Sequence, residues 1–132
     1  NHYAHGAVGD FLYRKVAGLN IASGEDAAGY KHILIKPCPG GSLKHARATL
    51  KTYYGTVTSG WQLNDEQMEM TVEVPVNTRA TVYLPSTTLK NITEGGKPID
   101  LITEITIPDL QEDNYTVIQV GSGKYQFKIQ TQ

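Results

Sequence analysis

The sequence has 132 residues, enough for one domain with a hydrophobic core, and its twelve basic and thirteen acidic residues give a net charge of −1. The basic residues are scattered, so the chain lacks the concentrated positive charge that indicates binding to nucleic acid or to an anionic membrane. No stretch reaches the roughly 18 apolar residues of a membrane span, and a single cysteine, Cys38, excludes an internal disulfide.

A helix is predicted over residues 1–20, NHYAHGAVGDFLYRKVAGLN. Asn1 can cap its first turn, and Gly18 stands where helices commonly stop. Apolar residues and glycines occupy nearly every side of this helix, whereas a surface helix carries one apolar stripe. We therefore expect the helix to pack inside a larger protein of which this chain is a piece. Left exposed, its apolar surface favours self-association.

After a polar connector at 22–29, the pattern changes to that of β-strands. Apolar and polar residues alternate in HARATLKTYYG, TVTSGWQL, QMEMTVEV and RATVYL, and HILIKP is a short apolar run. The final strands, NYTVIQV and YQFKIQ, are joined by GSGK, which indicates a hairpin. The stretch from Ile99 to Asp113 fits either a strand or an irregular loop. The pattern favours an all-β fold, an antiparallel, jelly-roll-like β-sandwich of about eight strands, with the helix appended.

Two segments combine distinctive residues in a fixed order. They are Asn1–Tyr3, Gly6–Gly9, Leu12–Arg14, Val16–Gly18, Gly29–His32, Ile35, Pro37, Pro39–Gly41, Tyr54–Gly55 and Ser59–Trp61. In this combination the sequence resembles the C-terminal end of the bacterial α-L-rhamnosidases, family 78 of the glycoside hydrolases. The resemblance implies that residues 1–20 are the last helix of a catalytic (α/α)6 barrel and that residues 21–132 form the C-terminal β-sandwich domain.

The resemblance also implies an activity for the complete enzyme, the inverting hydrolysis of terminal α-L-rhamnosides. Such a reaction needs a carboxylic acid and a separate carboxylate base, roughly 6.5–9.5 Å apart. In the family both come from the barrel, upstream of this chain, and none of the acidic residues here matches their motifs. We therefore expect no catalytic residue in this chain, and we expect the isolated chain to be inactive.

His2 is the single residue to which the resemblance gives a chemical role, because the family's histidine in this Asn-His motif lies in the sugar pocket. We expect it to hydrogen-bond a rhamnose hydroxyl in the complete enzyme. His2 and His5 stand three apart, as metal-binding pairs on helices do. No third ligand follows at helical spacing, and the resemblance implies neither a metal nor a cofactor. His32 and His45 are interpreted as structural or surface residues.

Two functions remain for the sandwich itself. The first is structural support of the catalytic barrel, with which it would share the polypeptide, in an enzyme acting on rhamnosylated glycans or glycosides. The alternative is a carbohydrate-binding module or another interaction domain, in which exposed aromatic rings stack on a glycan. The candidate rings are Trp61, Tyr53, Tyr54, Tyr30 and Tyr83. Alternation places Trp61 in the core and Tyr53 outside, which favours a core or interface role, and we expect Cys38 to be buried or half-buried.

Overall fold

The computed structural model describes residues 17–25, 29–109 and 111–130. These ranges contain eleven strands and two 3₁₀ turns, at Leu89–Asn91 and Ile99–Leu101. The strands are β1 (Leu19–Glu25), β2 (Lys31–Ile35), β3 (His45–Thr52), β4 (Gly55–Leu63), β5 (Gln67–Val74), β6 (Thr78–Leu84), β7 (Ile92–Glu94), β8 (Lys97–Pro98), β9 (Ile105–Thr106), β10 (Thr116–Val120) and β11 (Gly123–Gln130). The predicted all-β class is confirmed. None of the helical segments in these ranges is long and apolar enough to cross a membrane.

The strands form two sheets. The five-stranded sheet has the order β1-β2-β6-β10-β9, and the six-stranded sheet has the order β3-β4-β5-β11-β7-β8. Every pair is antiparallel except β2 and β6, which run parallel. The prediction of a purely antiparallel sandwich is therefore wrong at this pair, because the chain crosses to the other sheet and back between β2 and β6. The jelly-roll detail is not confirmed.

A single apolar cluster, drawn from both sheets, forms the core. Its largest fully buried side chain is Phe127 of β11. In β5 the apolar residues Met68, Met70, Val72 and Val74 are buried, and the polar residues between them are half-buried. This alternation is what the sequence predicts for a strand with one face on the core.

Strand β4 departs from simple alternation, since all residues from Val57 to Trp61 are buried. Thr58 and Gly60 face outward but are small. Thr58 lies between Thr49 and Glu73 of the neighbouring strands, and Gly60 lies between Arg47 and Thr71. The side chain of Arg47 on β3 comes within 3.3 Å of the point where a Cβ of Gly60 would stand. A cross-strand neighbour therefore covers Gly60.

The predicted hairpin of the last two strands is wrong. Strand β10 pairs with β6 and β9 in the five-stranded sheet, whereas β11 pairs with β5 and β7 in the other. The chain passes between the sheets at Gly121 and Ser122, and the Tyr125 hydroxyl donates a hydrogen bond to the Gly121 carbonyl at 3.0 Å. A short glycine-containing link suits a crossing as well as a hairpin, so the sequence pattern did not discriminate between them.

The beginning of the chain also differs from prediction. The polar connector expected at 22–29 contains the end of β1, an edge strand whose pairing with β2 shifts register between Ile21 and Glu25. Edge strands tolerate polar and irregular sequence because one side remains unpaired. Since β1 begins at Leu19, the predicted helix does not reach residue 20. Ala17 is helical, and residues 1–16 of that helix lie outside the described residues.

The stretch from Ile99 to Asp113 combines both alternatives that the sequence allowed. It holds the second 3₁₀ turn and the two-residue strand β9. Ile99 and Ile105 are buried in the core cluster, and the described residues that follow β9 have no regular structure. The apolar residues of this segment therefore anchor an irregular loop.

Candidate functional site

The polypeptide joins the sandwich through Ala17 and Gly18, and the backbone at Gly18 is closely packed. Gly18 has a φ of +88°, in the region that favours glycine. A Cβ at this position would lie 2.3 Å from the carbonyl carbon of Lys36 and from the nitrogen of Pro37. Both are backbone atoms, so no side-chain movement could make room. Position 18 requires glycine for its conformation and for its contacts.

Two hydrogen bonds tie this entry point to the two sheets. The backbone N–H of Lys36, just after β2, donates to the Gly18 carbonyl at 2.7 Å. The Ser59 hydroxyl, on β4 of the other sheet, donates to the Ala17 carbonyl at 2.7 Å. Ala17 and Ser59 are both fully buried. We call Ala17, Gly18, Lys36 and Ser59 the anchor.

The anchor satisfies backbone groups that a helix leaves open. The last carbonyls of a helix have no partner within it and need one elsewhere when they are buried. Ala17 is helical and Leu19 already belongs to β1, so the carbonyls of residues 17 and 18 stand at such an end. The anchor therefore supplies hydrogen-bond donors to the carbonyls of Ala17 and Gly18, one from each sheet region.

The side chain of Lys36 continues the anchor toward the loop that precedes β10. Its Nζ lies 3.1 Å from Glu112 and 4.9 and 5.2 Å from the ring centroids of Tyr83 and Tyr115. The Tyr115 hydroxyl donates to the Pro37 carbonyl at 3.3 Å. These contacts hold the segment that Gly18 packs against. Sequence reasoning missed them because Lys36 and Glu112 are 76 positions apart.

Two pKa values in this cluster are raised. The hydrogen bond to Glu112 raises the pKa of Lys36, because the carboxylate favours the protonated amine. Burial raises the pKa of Tyr115, since its ionised form would lose solvation. Both groups therefore hold their protons more tightly in the folded domain.

Of the histidines considered from the sequence, His2 and His5 lie outside the described residues. His32 is half-buried on β2 and His45 is exposed at the start of β3, as expected for structural or surface residues. Within the described ranges no group of three or more histidine, cysteine or acidic side chains could hold a metal ion.

The expectation for Cys38 is wrong, because this residue is exposed. Its Sγ lies 3.7 Å from the Lys36 carbonyl oxygen. Cys38 stands between Pro37 and Pro39 in the loop that joins β2 to β3. Proline lacks the backbone N–H that pairs neighbouring strands, so this segment does not continue the sheet and forms a loop. Such loops run over the protein surface.

Two aromatic pairs on the described surface, Tyr53–Tyr54 and Tyr83–Tyr115, are arranged edge to face. Trp61 is only 3% exposed, which confirms its predicted core position, and Tyr53 is 93% exposed, as predicted. The ring planes of Tyr53 and Tyr54 stand at 88° to each other, and those of Tyr83 and Tyr115 at 84°. Neither pair presents coplanar ring faces to a glycan.

Comparison with known families identifies the domain. Residues 18–98 match the family model described as the bacterial α-L-rhamnosidase C-terminal domain. The chain belongs to this family. The match begins at Gly18, the glycine of the anchor, and extends through β1 to the end of β8. This C-terminal domain therefore accounts for most of the described chain.

Relatives of this C-terminal domain are larger proteins. An α-L-rhamnosidase of Streptomyces avermitilis is 36% identical over 129 residues, which are 98% of this chain and 11% of that protein. The structure of an α-L-rhamnosidase from Dictyoglumus thermophilum matches with a TM-score of 0.75 and 34% identity, over 96% of this chain and 14% of that one. The S. avermitilis enzyme, solved in complex with L-rhamnose, matches with a TM-score of 0.72 and 34% identity, over 98% and 11%. The chain therefore spans about a ninth of the length of its first curated relative.

Proposed function

We propose that this chain is the C-terminal domain of an α-L-rhamnosidase and that it supports the catalytic part of the same polypeptide. The observation that carries the proposal is the anchor, in which Gly18 packs on the Lys36 backbone and Ser59 binds the Ala17 carbonyl. Family membership and the α-L-rhamnosidase relatives support the enzyme class. The support is mechanical, because the anchor fixes the position and direction of the segment that precedes Gly18.

The proposed helix over residues 1–20, shortened to end at the anchor, would act as a lever. With a rise of about 1.5 Å per residue, such a helix would put His2 about 22 Å from Ala17. A tilt of about 5° at the anchor then moves His2 by about 2 Å. A displacement of about 1 Å in an active site can cost about a hundredfold in rate. In this proposal, the hydrogen bonds made by Ser59 and Lys36 would keep His2 in position to bind the sugar, although they lie far from it.

In the proposed chemistry, a carboxylic acid protonates the leaving oxygen while a carboxylate activates water on the opposite face of the sugar. Both carboxyl groups would come from the catalytic barrel, outside this chain. His2 would hydrogen-bond a rhamnose hydroxyl as a substrate-binding residue. The C-terminal domain would contribute no reacting group, so the isolated chain would not hydrolyse rhamnosides.

Hydrolysis of p-nitrophenyl α-L-rhamnoside tests this proposal. The complete enzyme should release nitrophenol and form the β-anomer of rhamnose first, as seen by proton NMR within the first minutes. The isolated 132-residue chain should release none. Steady release by the isolated chain, or the α-anomer as the first product, would contradict the proposed division of roles or the inverting mechanism.

The role of His2 is tested in the complete enzyme with a matched control. His2→Ala should lower kcat/KM at least about tenfold, the effect of losing a charged or strongly polarised hydrogen bond to substrate. His5→Ala, three residues along the same predicted helix, should leave kcat/KM within about twofold. Equal effects of the two substitutions would show that His2 has no specific contact with the sugar.

A further inference from the structure

The outer face of the six-stranded sheet contains a shallow cavity of about 290 Å³. Gly60 of β4 lowers the sheet surface here, since the strand has no side chain at this position, and the stem of Arg47 covers one side of it, 3.3 Å from where a Cβ would stand. The buried residues Ala46 and Trp61 also line the cavity. The other side chains around the cavity come from four adjacent strands and are polar: His45, Arg47, Gln62, Glu69, Thr71 and Gln126. We call this cavity the trough.

Strand register explains why these residues meet. Arg47, Gly60, Thr71 and Gln126 stand in one row across β3, β4, β5 and β11. The adjacent row on the same face places His45, Gln62 and Glu69 side by side. Directly opposed residues on neighbouring strands have Cβ atoms about 4.5–5.5 Å apart. The two rows therefore surround the gap at Gly60 with hydrogen-bonding groups held on strands, which position side chains better than loops do.

Several of these groups have no hydrogen-bond partner among residues 17–25, 29–109 and 111–130. Glu69 accepts a hydrogen bond from Gln67 at 3.3 Å. In contrast, the side chains of Arg47, Gln62, Thr71 and Gln126 make no hydrogen bond to other described residues. Their donors and acceptors are available to a ligand that enters the trough.

The composition of the trough favours one class of ligand. A phosphate or carboxylate group calls for surplus positive charge. In the trough the negative charge of Glu69 offsets the positive charge of Arg47, and Lys128, which stands opposite Glu69 on β11, does not line it. Protein partners favour exposed aromatic and apolar residues at the centre of an interface, whereas the apolar lining residues Ala46 and Trp61 are only 2% and 3% exposed. The amides of Gln62 and Gln126 each donate and accept hydrogen bonds, as sugar hydroxyls do. The volume is close to the lower limit of ligand pockets, about 300 Å³, which suits one small ring.

We propose that the trough binds one neutral sugar residue of a glycan. Gln62 bonds one hydroxyl from two residues along β4, Gln126 bonds a second from β11, beyond Thr71, and Arg47 donates to a third from β3. This binding does not depend on the proposed structural role, because Ser59 of the anchor and Gly60 of the trough are neighbours that face opposite sides of β4. It gives the sandwich a second function, contact with a carbohydrate.

Amide NMR of the 132-residue chain, titrated with L-rhamnose and in parallel with D-glucose, tests the proposal. At least one sugar should give saturable shifts at Gly60, Thr71 and Gln126, with a Kd of the order of 1–10 mM. Inorganic phosphate, the probe for an anion site, should give none there. The absence of saturable shifts with both sugars up to about 100 mM, or shifts centred on the Tyr53–Tyr54 turn, would overturn it.

Substitutions locate the binding. Gln62→Ala and Gln126→Ala should each raise Kd about fivefold, the effect of one lost hydrogen bond. Gly60→Thr should abolish binding by filling the gap, with folding verified from its amide spectrum. Lys51→Ala, on the same face of β3 but outside the trough, should leave Kd unchanged. An unchanged Kd in both glutamine variants would overturn the proposal even if Gly60→Thr does not fold.

Discussion

Replacement of Gly18 by alanine tests the anchor directly. The new Cβ would stand 2.3 Å from two backbone atoms of the Lys36–Pro37 peptide, in a backbone conformation with a φ of +88°. Contacts below 3.0 Å between a Cβ and backbone do not occur in folded proteins, so one of the two segments must move. Either movement lengthens the 2.7 Å bonds made by Lys36 and Ser59.

The cost follows from these changes. A left-handed conformation costs alanine about 1–2 kcal/mol relative to glycine. Loss of the Lys36 to Gly18 hydrogen bond adds about 1 kcal/mol, and the buried Ala17 carbonyl left without its partner adds about 1–3 kcal/mol. The free energy of unfolding should therefore fall by about 3–6 kcal/mol, a large part of the total of about 5–15 kcal/mol for a typical domain.

Urea denaturation followed by circular dichroism measures this change, and two other glycines serve as controls. Gly40 has an ordinary φ and open space around it, so Gly40→Ala should change stability by less than about 0.5 kcal/mol. Gly41 has a φ of +60° and open space, so Gly41→Ala should cost only the conformational penalty of about 1–2 kcal/mol. A loss for Gly18→Ala no larger than that for Gly41→Ala would refute the argument from close packing.

Two further predictions concern the hydrogen bonds and the titrating groups. Ser59→Ala should lower the free energy of unfolding by about 1–3 kcal/mol, because the Ala17 carbonyl loses its buried donor; an effect as small as that of the exposed control Ser42→Ala would contradict this. The pKa values of Lys36, Tyr115 and Tyr125 are raised, by the hydrogen bond to Glu112 in the first and by burial in the other two. Their stabilisation is fully present below about pH 10 and is lost as pH rises through the raised values. Thermal unfolding between about pH 9 and 11.5 should show a falling Tm; a constant or rising Tm would show that these groups do not contribute.

Local pattern was sufficient to predict most strands. In β3, β5 and β6 the alternation of apolar and polar residues identified both the strand and its buried face, and the structure confirms them. Alternation shows which face of a strand is buried but not which strand lies beside it. For this reason the pairing of the last two strands and the parallel pair of β2 and β6 could not be obtained from the sequence.

The anchor and the trough could likewise be predicted only in part from the sequence. Gly18 was recognised as the end of a helix, and its φ of +88° agrees with that interpretation. Its contact with the Lys36 backbone and the bond from Ser59 depend on how the two sheets face each other, which no local signal contains. Gly60 did offer a signal, since glycine inside a strand often marks a close approach or a ligand. Only the register of four strands shows which polar residues surround it.

The crossing at Gly121 and Ser122 has a consequence for how the domain is made. Strand β11 lies between β5 and β7, so the part of the six-stranded sheet made from β3 to β5 and the part made from β7 and β8 are synthesised before the strand that joins them. Until Gly123–Gln130 leaves the ribosome, β5 presents an unpaired edge, which is a site for wrong association with other chains. Completion of the sheet therefore waits for the arrival of β11, and binding of a chaperone to the nascent edge of β5 would protect the domain during that interval.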